Sequence, residues 1–406
     1  MITLLSAVSG ALYGLGFFLF LNVLYLLFFA IAGHRRTAEP SADVSGGASR
    51  RMCVLMPAYR SDAVILQTAP MAQRHTYAGL SEVIVIADGL LPATVLALRK
   101  QNIGVVEVAF EKSTKGKALL AALRALPPAA YDVAVVLDVD NVMAPDFLHQ
   151  INQAFAAGYR VVQGHRTAKN FDSPFAVLDA CNEEINNHIY RQGHASLGMS
   201  VALIGSGMAF EYGFLKQLLQ DIGETSGEDK EMDFRIVKAG LKIGYLPHAY
   251  VYDEKISDSK AFTTQRTRWL ASQVEFLQKY FWQGPLALWR GNIAFFDKVL
   301  QTLLVPRILL LGLLGILLVL SALFSSVGPG PLFWAALLAG TSAALLLSLP
   351  ARLYNRQVAQ ALWHLPLALV SMVLALLQIK KAKTSFLHTT HAAATAEGAA
   401  THQPLH

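Results

Sequence analysis

Two aspartates, Asp138 and Asp140, follow the apolar run Val133–Leu137 with one residue between them. Carboxylates at this spacing supply the hard oxygen ligands that Mg2+ or Mn2+ takes beside a bound diphosphate. A metal ion held there would stabilise a departing diphosphate as a Lewis acid. A lone Asp-x-Asp pair carries little weight, but its position at the end of a buried strand favours a metal site.

Two lysines, Lys115 and Lys117, open the helical run Ala118–Leu126 and follow Ser113 and Thr114. Their ammonium groups, together with the free backbone N–H groups of a helix start, are suited to binding phosphate oxygens. The alternative is a solvated basic loop. The glycine spacing of a Walker A loop is missing, so that class of nucleotide site is not indicated.

Two acids, Glu228 and Asp229, precede a helical pattern later in the chain. One acid suits the helix dipole as a cap, but a cap needs only one, so the pair favours a carboxylate directed into a cleft. Upstream, Gly205, Ser206 and Gly207 lie between apolar flanks, and their small size permits a sugar ring to approach closely.

Three residues, Gln265, Arg268 and Trp269, begin an aromatic-rich amphipathic stretch. A guanidinium fork matches a diphosphate, and an indole face matches a sugar ring. The later aromatic residues of the stretch are typical of a helix at a membrane interface. We therefore expect the first three to bind ligand and the remainder to lie at the interface.

The elements that must hold these residues alternate between strands and helices. This alternation predicts an α/β fold with a mostly parallel sheet, in which ligands bind beyond the carboxyl ends of the strands. The first strand runs into Pro57 and Tyr59 and the second into Asp88, although an acid at one strand end could also be a turn or cap residue. The predicted buried strands are Met52–Met56, Val83–Ala87, Val105–Val108 and Val133–Leu137.

The composition is too apolar for a soluble chain of 406 residues, with 54% hydrophobic and 15% charged residues. The apolar excess lies in 11–32 and 305–379, on either side of a globular middle. The net charge of +6 is not arranged as a stripe that would bind nucleic acid. Because His34, Arg35 and Arg36 follow the first apolar segment, we expect a retained anchor, an external N-terminus and a cytoplasmic middle domain.

Three further apolar segments, 308–325, 332–349 and 362–379, follow the globular middle. His364 and Pro366 interrupt the start of the third, and lysines directly follow its end. We therefore predict three spans in the chain, counting the N-terminal anchor, with 362–379 lying in or dipping into the inner leaflet.

The order of these motifs resembles the family 2 inverting glycosyltransferases, in the branch with cellulose, chitin, hyaluronan and poly-N-acetylglucosamine synthases. The resemblance covers about 51–269 and implies a GT-A fold, a UDP-sugar donor, and a metal and diphosphate site at the Asp-x-Asp pair. It also implies that Asp88 contacts the nucleoside, that Asp229 is the catalytic base, and that the last motif holds the diphosphate and the acceptor end. The matching residues are Asp88, Asp138 with Asp140, Glu228 with Asp229, and Gln265 with Arg268 and Trp269.

Near the end of the chain, Phe386, Thr389 and His391 resemble the gating loop Phe-x-Val-Thr-x-Lys of cellulose synthases, with His391 in place of the lysine. The resemblance implies a cytoplasmic loop that closes over the donor and excludes water. The alternative is a tail without fixed structure, rich in Ala, Thr and His.

These observations favour a processive transferase that moves sugar from a UDP-sugar to a growing polysaccharide, in the plasma (inner) membrane. The alternative is transfer of one sugar to a lipid, as in ceramide glucosyltransferases. The expected partners are the donor, a glycan or lipid acceptor and the bilayer; an export partner or a homo-oligomer is left open. The predicted units are an anchor (1–33), a linker (34–50), a GT-A domain (51–259), interfacial helices (260–303), membrane and interfacial segments (304–379) and a tail (380–406).

Overall fold

The computed structural model describes residues 2–35, 49–223, 225, 227–256, 259–324 and 326–382. The strands are β1 Met52–Tyr59, β2 Ser81–Asp88, β3 Gly104–Val108, β4 Val133–Val136, β5 Val142–Met143, β6 Val161–Ala168, β7 Met208–Glu211 and β8 Gly244–Asp253. The helices up to the last strand are α1 Ile2–Ala32, α2 Asp62–Gln73, α3 Pro92–Lys100, α4 Lys115–Ala125, α5 Phe147–Ala156, α6 Pro174–Asn186, α7 His194–Ser196, α8 Tyr212–Leu219 and α9 Glu228–Lys238. Those that follow are α10 Ser259–Tyr280, α11 Gln283–Trp289, α12 Ile293–Leu303, α13 Arg307–Leu323, α14 Pro331–Leu347, α15 Arg356–Ala361 and α16 Leu365–Ala382.

All eight strands form one mixed sheet in the order β3-β2-β1-β4-β7-β6-β8-β5. The first four strands are parallel, β7 is antiparallel to β4 and β6, and β8 is parallel to β6. Each of the four predicted strands is present within a few residues of its expected bounds. The alternation of side chains along β1 explains why the sheet has a core on both faces: Met52 and Val54 pack on one side, and Cys53 and Leu55 on the other.

Helices α1, α13 and α14 pack together through an apolar cluster that includes Leu19, Leu314 and Trp334. The start of α1 lies beside the loop between the other two helices, where the Gly328 N–H donates to Ser9 Oγ at 3.1 Å. The opposite end of α1 contacts the sheet domain, since Ser196 Oγ donates to the Ala32 carbonyl at 2.8 Å. One end of this three-helix group therefore touches the sheet domain, and the loop between α13 and α14 lies at the other end.

By length and composition, two described helical runs could cross a membrane, Leu5–Ala32 and Arg356–Gln378. A third candidate is the pair α12 and α13, which is bent by 55° at its break, whereas α14 is shorter. The expectation that 362–379 is the weakest candidate for a span, because His364 and Pro366 interrupt its apolar start, is not supported by length and composition, since Arg356–Gln378 is one of the two candidate runs. The backbone stays helical there through a short 3-10 turn at Leu362–His364. Pro366 falls in the first turn of α16, where its missing N–H removes no helical hydrogen bond.

Candidate active site

The loop after β4 holds both aspartates of the predicted metal pair at the carboxyl end of the sheet. The Asp138 backbone N–H donates to Ser206 Oγ at 2.9 Å, and that hydroxyl donates to Asn141 Oδ1 at 2.5 Å. Asp140 is buried, and its Oδ1 accepts a bond from Asn141 Nδ2 at 3.1 Å. The fully buried Ser206 therefore fixes this loop from behind.

Lys115 lies at the centre of the acidic residues. Its Nζ donates to Asp138 Oδ1 at 2.5 Å and to the Gly205 carbonyl at 2.6 Å, and it lies 3.8 Å from Glu228 Oε1. Thr114 caps α4, because its Oγ1 accepts from the Lys117 N–H at 3.3 Å. Burial alone would lower the pKa of Lys115, but the carboxylates of Asp138, Glu228 and Asp229 together outweigh it and the net pKa is raised. The ammonium is therefore held as a cation.

The two acids at the start of α9 differ in their surroundings. Burial raises the pKa of Glu228 to about 7, although nearby Lys115 opposes the shift. Asp229 Oδ1 accepts the Lys230 backbone N–H at 2.8 Å, and its Oδ2 lies near Gly205, which has a φ of +84°. A side chain at position 205 would be strained in this conformation and would add bulk beside Asp229.

A buried ionic group forms one wall of the site. Arg166 Nη2 donates to Glu183 Oε2 at 2.8 Å, and Lys255 Nζ donates to Asp253 Oδ2 at 2.7 Å and lies 3.5 Å from Glu183. Although burial alone would raise the pKa of Glu183, the neighbouring cations bring the net pKa far below its usual range. These charges neutralise one another and keep the wall polar without a strong net field.

The motif residues Gln265, Arg268 and Trp269 lie on α10 and line the same cavity as the acids. Between them, Arg266 forms a buried ion pair with Asp179, and its Cζ lies 4.2 Å from the Trp269 ring centroid. This cation–π contact holds one part of the indole in place. Trp269 keeps 37% of its surface exposed, which leaves aromatic surface available to a ligand.

The acids, Lys115, the ionic wall and the motif residues of α10 surround one cavity of about 760 Å³. Its strand end is formed by Lys115, Asp138, Asp140, Glu228 and Asp229. Its other end, which we call the membrane end because α13 and α16 are apolar helices, is formed by Leu304, Val305, Pro306, Arg307, Ile308 and Met372. The cavity thus connects the carboxyl ends of the strands with the base of an apolar helix.

Among the described residues, no group of three or more His, Cys, Asp or Glu side chains is arranged to hold a metal ion. Asp138 and Asp140 nevertheless fit Mg2+ or Mn2+, because Mg2+ is commonly held by one or two carboxylates and by substrate phosphates. The Asp138 carboxylate already faces one positive charge, the Lys115 ammonium, and this agrees with a position that attracts cations. A bound metal would rest on these two carboxylates.

The sequence-predicted residues fall into three groups. Those that line the cavity are Pro57, Tyr59, Lys115, Asp138, Asp140, Gly205, Glu228, Asp229, Gln265, Arg268 and Trp269. Those that do not line it are Asp88, Lys117, Ser206 and Gly207. Phe386, Thr389 and His391 lie outside the described residues, so the gating loop stays a prediction.

The four predicted residues outside the cavity wall have recognisable local contacts. Asp88 is buried and accepts a hydrogen bond from Ser113, next to the cavity residue Thr114. Lys117 Nζ donates to the Lys112 carbonyl at 3.2 Å. Ser206 fixes the Asp138 loop, and Gly207 lies behind it in a backbone conformation with a φ of +63°. Ser206 and Gly207 are therefore placed to support the site and not to contact a ligand directly.

Sequence reasoning missed the ionic wall and the polar residues at the membrane end, among them Asn182, Asn186 and Arg307. A signal for Arg307 was present, since a single cation directly precedes the apolar run of α13. The residues of α6 gave no comparable signal, because amides in a helix are normally solvent-facing. Only the tertiary packing of α6 against α13 brings these groups to one wall.

Residues 50–272 match the family model described as Glycosyltransferase like family 2. This match covers more than half of the chain, so the chain belongs to that family and is a glycosyltransferase. The expected α/β fold of GT-A type is therefore confirmed.

A curated relative, an N-acetylglucosaminyltransferase of Sinorhizobium fredii, is 24% identical over 270 residues. The aligned part is 58% of this chain and 60% of the relative, so the chain matches less than two thirds of that protein's length.

Among solved structures, a mannosyltransferase from Pyrobaculum calidifontis in complex with GDP-Man and Mn2+ has a TM-score of 0.56 and 18% identity. The similarity covers 93% of this chain and 99% of that one, so the shared fold extends beyond the sheet domain. Glucosyl-3-phosphoglycerate synthase from Mycobacterium tuberculosis has a TM-score of 0.36 and 15% identity, with 63% of this chain and 81% of that chain covered.

Proposed function

We propose that the chain transfers a sugar from a UDP-sugar to an acceptor held at the membrane surface, with inversion at the anomeric carbon. The carrying observation is that one cavity joins Asp138, Asp140, Glu228 and Asp229 at its strand end to the first turn of α13 at its membrane end. A donor placed at the strand end would present its sugar to an acceptor that enters from the membrane end.

In this proposal, Asp229 removes the proton from the acceptor hydroxyl while that oxygen attacks the anomeric carbon. The bond between this carbon and the diphosphate oxygen breaks, and its electron pair leaves with the nucleotide. Lys115 binds the departing diphosphate as a cation, and Asp138 and Asp140 hold Mg2+ or Mn2+. When bound, the metal supplies Lewis-acid stabilisation of the leaving group. No covalent enzyme intermediate is needed.

The glycosyltransferase relatives support a nucleotide-sugar donor and a divalent metal. The mannosyltransferase with the similar fold was solved with GDP-Man and Mn2+. We propose a UDP-sugar because of the motif pattern, and a donor panel that includes GDP-Man tests that choice. Tight binding of GDP-Man without binding of any UDP-sugar would contradict it.

The membrane end of the cavity favours a lipid acceptor. Among its described lining residues, none belongs to α1 or α14, and these two helices share an apolar cluster with α13. A polymer leaving through the chain itself would need a path between these helices. An acceptor whose headgroup enters beside α13 and α16 needs no such path.

Processive synthesis remains the second candidate function. It is favoured by Gln265, Arg268 and Trp269 on the cavity wall, because the synthases that this sequence resembles carry that motif at the acceptor end. A polymer would then leave through a partner or a second copy of the chain.

The packing of the apolar helices also supports the proposed topology of three spans. We propose that α1, α13 and α14 cross the membrane, with the sheet domain in the cytoplasm, since Arg307 and Arg352 both lie on the side of the sheet domain. Helix α16 packs along α10, and Met372 and Leu270 share an apolar cluster. That contact supports a position of α16 at the surface of the inner membrane leaflet.

The test is incubation of membranes that contain the full chain with labelled UDP-sugars, followed by separation of products by size and by extraction. Transfer to one lipid gives label that enters the organic phase, whereas processive synthesis gives label of high mass in the aqueous residue. Absence of any labelled product with every donor, at protein levels where donor binding is detected, would contradict the proposed function.

A further inference from the structure

The membrane end of the cavity contains a guanidinium that lacks an acidic partner. Arg307 Nη2 donates to Asn182 Oδ1 at 2.5 Å and to Asn186 Oδ1 at 2.7 Å. Its Nη1 has less than 1 Å² exposed and no hydrogen-bond partner. Within the part of the chain that the structure describes, no carboxylate lies within 4.0 Å of this side chain, whereas Arg166, Arg191 and Arg266 each have at least one.

The two asparagines add donors to the same wall. Asn182 and Asn186 are four residues apart on α6 and therefore share one helix face. Because their side-chain oxygens accept from Arg307, their Nδ2 groups are turned away from it. Neither Nδ2 has a hydrogen-bond partner among the described residues, and both side chains line the cavity. This cluster, Asn182, Asn186 and Arg307, thus presents N–H donors and no negative charge.

A sequestered cation without a directly paired carboxylate is costly, because desolvation is not offset by an ion pair. The cost falls when an anion enters. A guanidinium fork with neighbouring amide donors matches the tetrahedral oxygens of a phosphate. The position selects the source of that phosphate, since Arg307 is the first residue of the apolar helix α13 and Val305, Ile308 and Met372 line the cavity beside it.

We propose that Asn182, Asn186 and Arg307 bind the phosphate group of a lipid acceptor, whose apolar chain leaves the cavity between α13 and α16. This inference rests on the proposed function and names the class of its acceptor. The phosphate stays outside the chemical step. It anchors the acceptor at the membrane end so that a hydroxyl or phosphate oxygen farther along the molecule reaches Asp229.

The experiment uses the purified full chain in nanodiscs of phosphatidylcholine and three probes: farnesyl phosphate, farnesol and inorganic phosphate. Affinity and melting temperature are measured for each. We expect farnesyl phosphate to bind at least tenfold more tightly than farnesol, because hydrogen bonds between a charged donor and the phosphate increase affinity by about this factor or more. Inorganic phosphate should bind more weakly than farnesyl phosphate. Equal binding of farnesol and farnesyl phosphate, or tighter binding of inorganic phosphate, would overturn the proposal.

Two variants separate recognition from a structural role. Arg307→Gln removes the charge, and Asn182→Asp supplies the missing counter-charge in the same shape. Both should reduce the preference for farnesyl phosphate over farnesol by roughly tenfold to a hundredfold. Asn182→Asp should also raise the melting temperature without ligand, because it supplies a carboxylate partner for the Arg307 guanidinium. An unchanged preference, or a lower melting temperature in Asn182→Asp, would show that the cluster is only structural.

The matched control is Arg356→Gln, because Arg356 is an exposed cation at the start of a helix outside the cavity. It should retain the full preference. UDP binding is measured on every variant, since the strand end should not respond to Arg307→Gln. If the unmodified chain neither binds UDP nor transfers sugar, the proposed function is refuted. If the unmodified chain binds UDP but does not prefer farnesyl phosphate over farnesol, only this inference is refuted.

Discussion

The strand end and the membrane end of the cavity balance their charges differently. At the strand end, Lys115 faces Asp138 and lies close to Glu228, and the adjoining wall pairs Arg166 with Glu183. At the membrane end, the hydrogen bonds that Arg307 donates within the described part of the chain all go to amide and carbonyl oxygens. We therefore propose that the first end exchanges an internal ion pair for a metal and a diphosphate, and that the second receives an anion.

The two ends also differ in what positions them. Asp138 follows a strand in the centre of the sheet, so its place is set by the backbone ladder and by Ser206. Arg307 depends on the packing of two helices from distant parts of the sequence, α6 and α13. The chemistry of transfer should therefore be sensitive to single charges at the strand end, and acceptor affinity to the groups at the membrane end. The following tests address that division.

The largest expected effect comes from Asp229→Asn, which removes the proposed base and keeps the shape of the side chain. Turnover should fall by roughly a hundredfold to ten-thousandfold, while UDP binding stays nearly intact. Steady-state rates and equilibrium UDP binding measure the two effects. The control Asp146→Asn changes an exposed aspartate that does not line the cavity. Retention of most turnover in Asp229→Asn would place the base elsewhere.

The second test concerns the metal ligands. Asp140→Asn should weaken the response of UDP affinity to Mn2+ by about tenfold or more, because one of two hard carboxylate ligands is lost. Titration of UDP with and without Mn2+ measures the response. Asp132→Asn, at the opposite end of β4, is the control and should respond as the unmodified chain does. An Asp140→Asn protein with a normal Mn2+ response would remove Asp140 from the metal site.

A smaller effect is expected from Trp269→Ala, which removes aromatic surface from the cavity wall. The KM for the acceptor should rise by about threefold to tenfold, with little change in UDP affinity. Trp282, which is 81% exposed and lies outside the cavity, supplies the control Trp282→Ala. If UDP affinity falls instead and the acceptor KM is unchanged, Trp269 belongs to the donor site.

The smallest effect is one of stability, from Glu228→Gln. The pKa of Glu228 is about 7 in the folded chain, above its ordinary value of 4.5, so the native state binds more protons between these values. The free energy of unfolding therefore decreases as pH rises through this window. Glu228→Gln should melt roughly 2–8 °C higher than the unmodified chain at pH 8 and nearly equally at pH 4. A constant difference at both pH values would contradict the raised pKa.

The strand end could be predicted from the sequence to a large extent. Short β-branched runs indicated the first four strands, and the acids that follow the fourth run placed Asp138 and Asp140 at the carboxyl edge of the sheet. Strands β5 to β8 were missed, because β5 has only two residues and β6 contains polar and charged residues that mask an apolar pattern. Those residues include Arg166, which forms part of the cavity wall.

The membrane end could not be predicted in the same way. No local pattern connects Asn182 and Asn186 with Arg307, which lies more than a hundred residues farther along the chain. The sequence also suggested that His364 and Pro366 interrupt the apolar stretch of 362–379, whereas the structure places this stretch in a helical run, Arg356–Gln378, that is long and apolar enough to cross a membrane. Interactions between distant segments therefore determine the acceptor end, and regular local patterns determine the donor end.

We propose that one cavity receives the donor at its strand end and a lipid phosphate at its membrane end. The most direct test is an experimental structure of the full chain in nanodiscs with UDP, Mn2+ and farnesyl phosphate. We expect a metal peak between Asp138 and Asp140, the UDP diphosphate beside Lys115, and the lipid phosphate within hydrogen-bond distance of Arg307. Density for UDP at Arg307, or for the lipid phosphate outside the cavity, would contradict it.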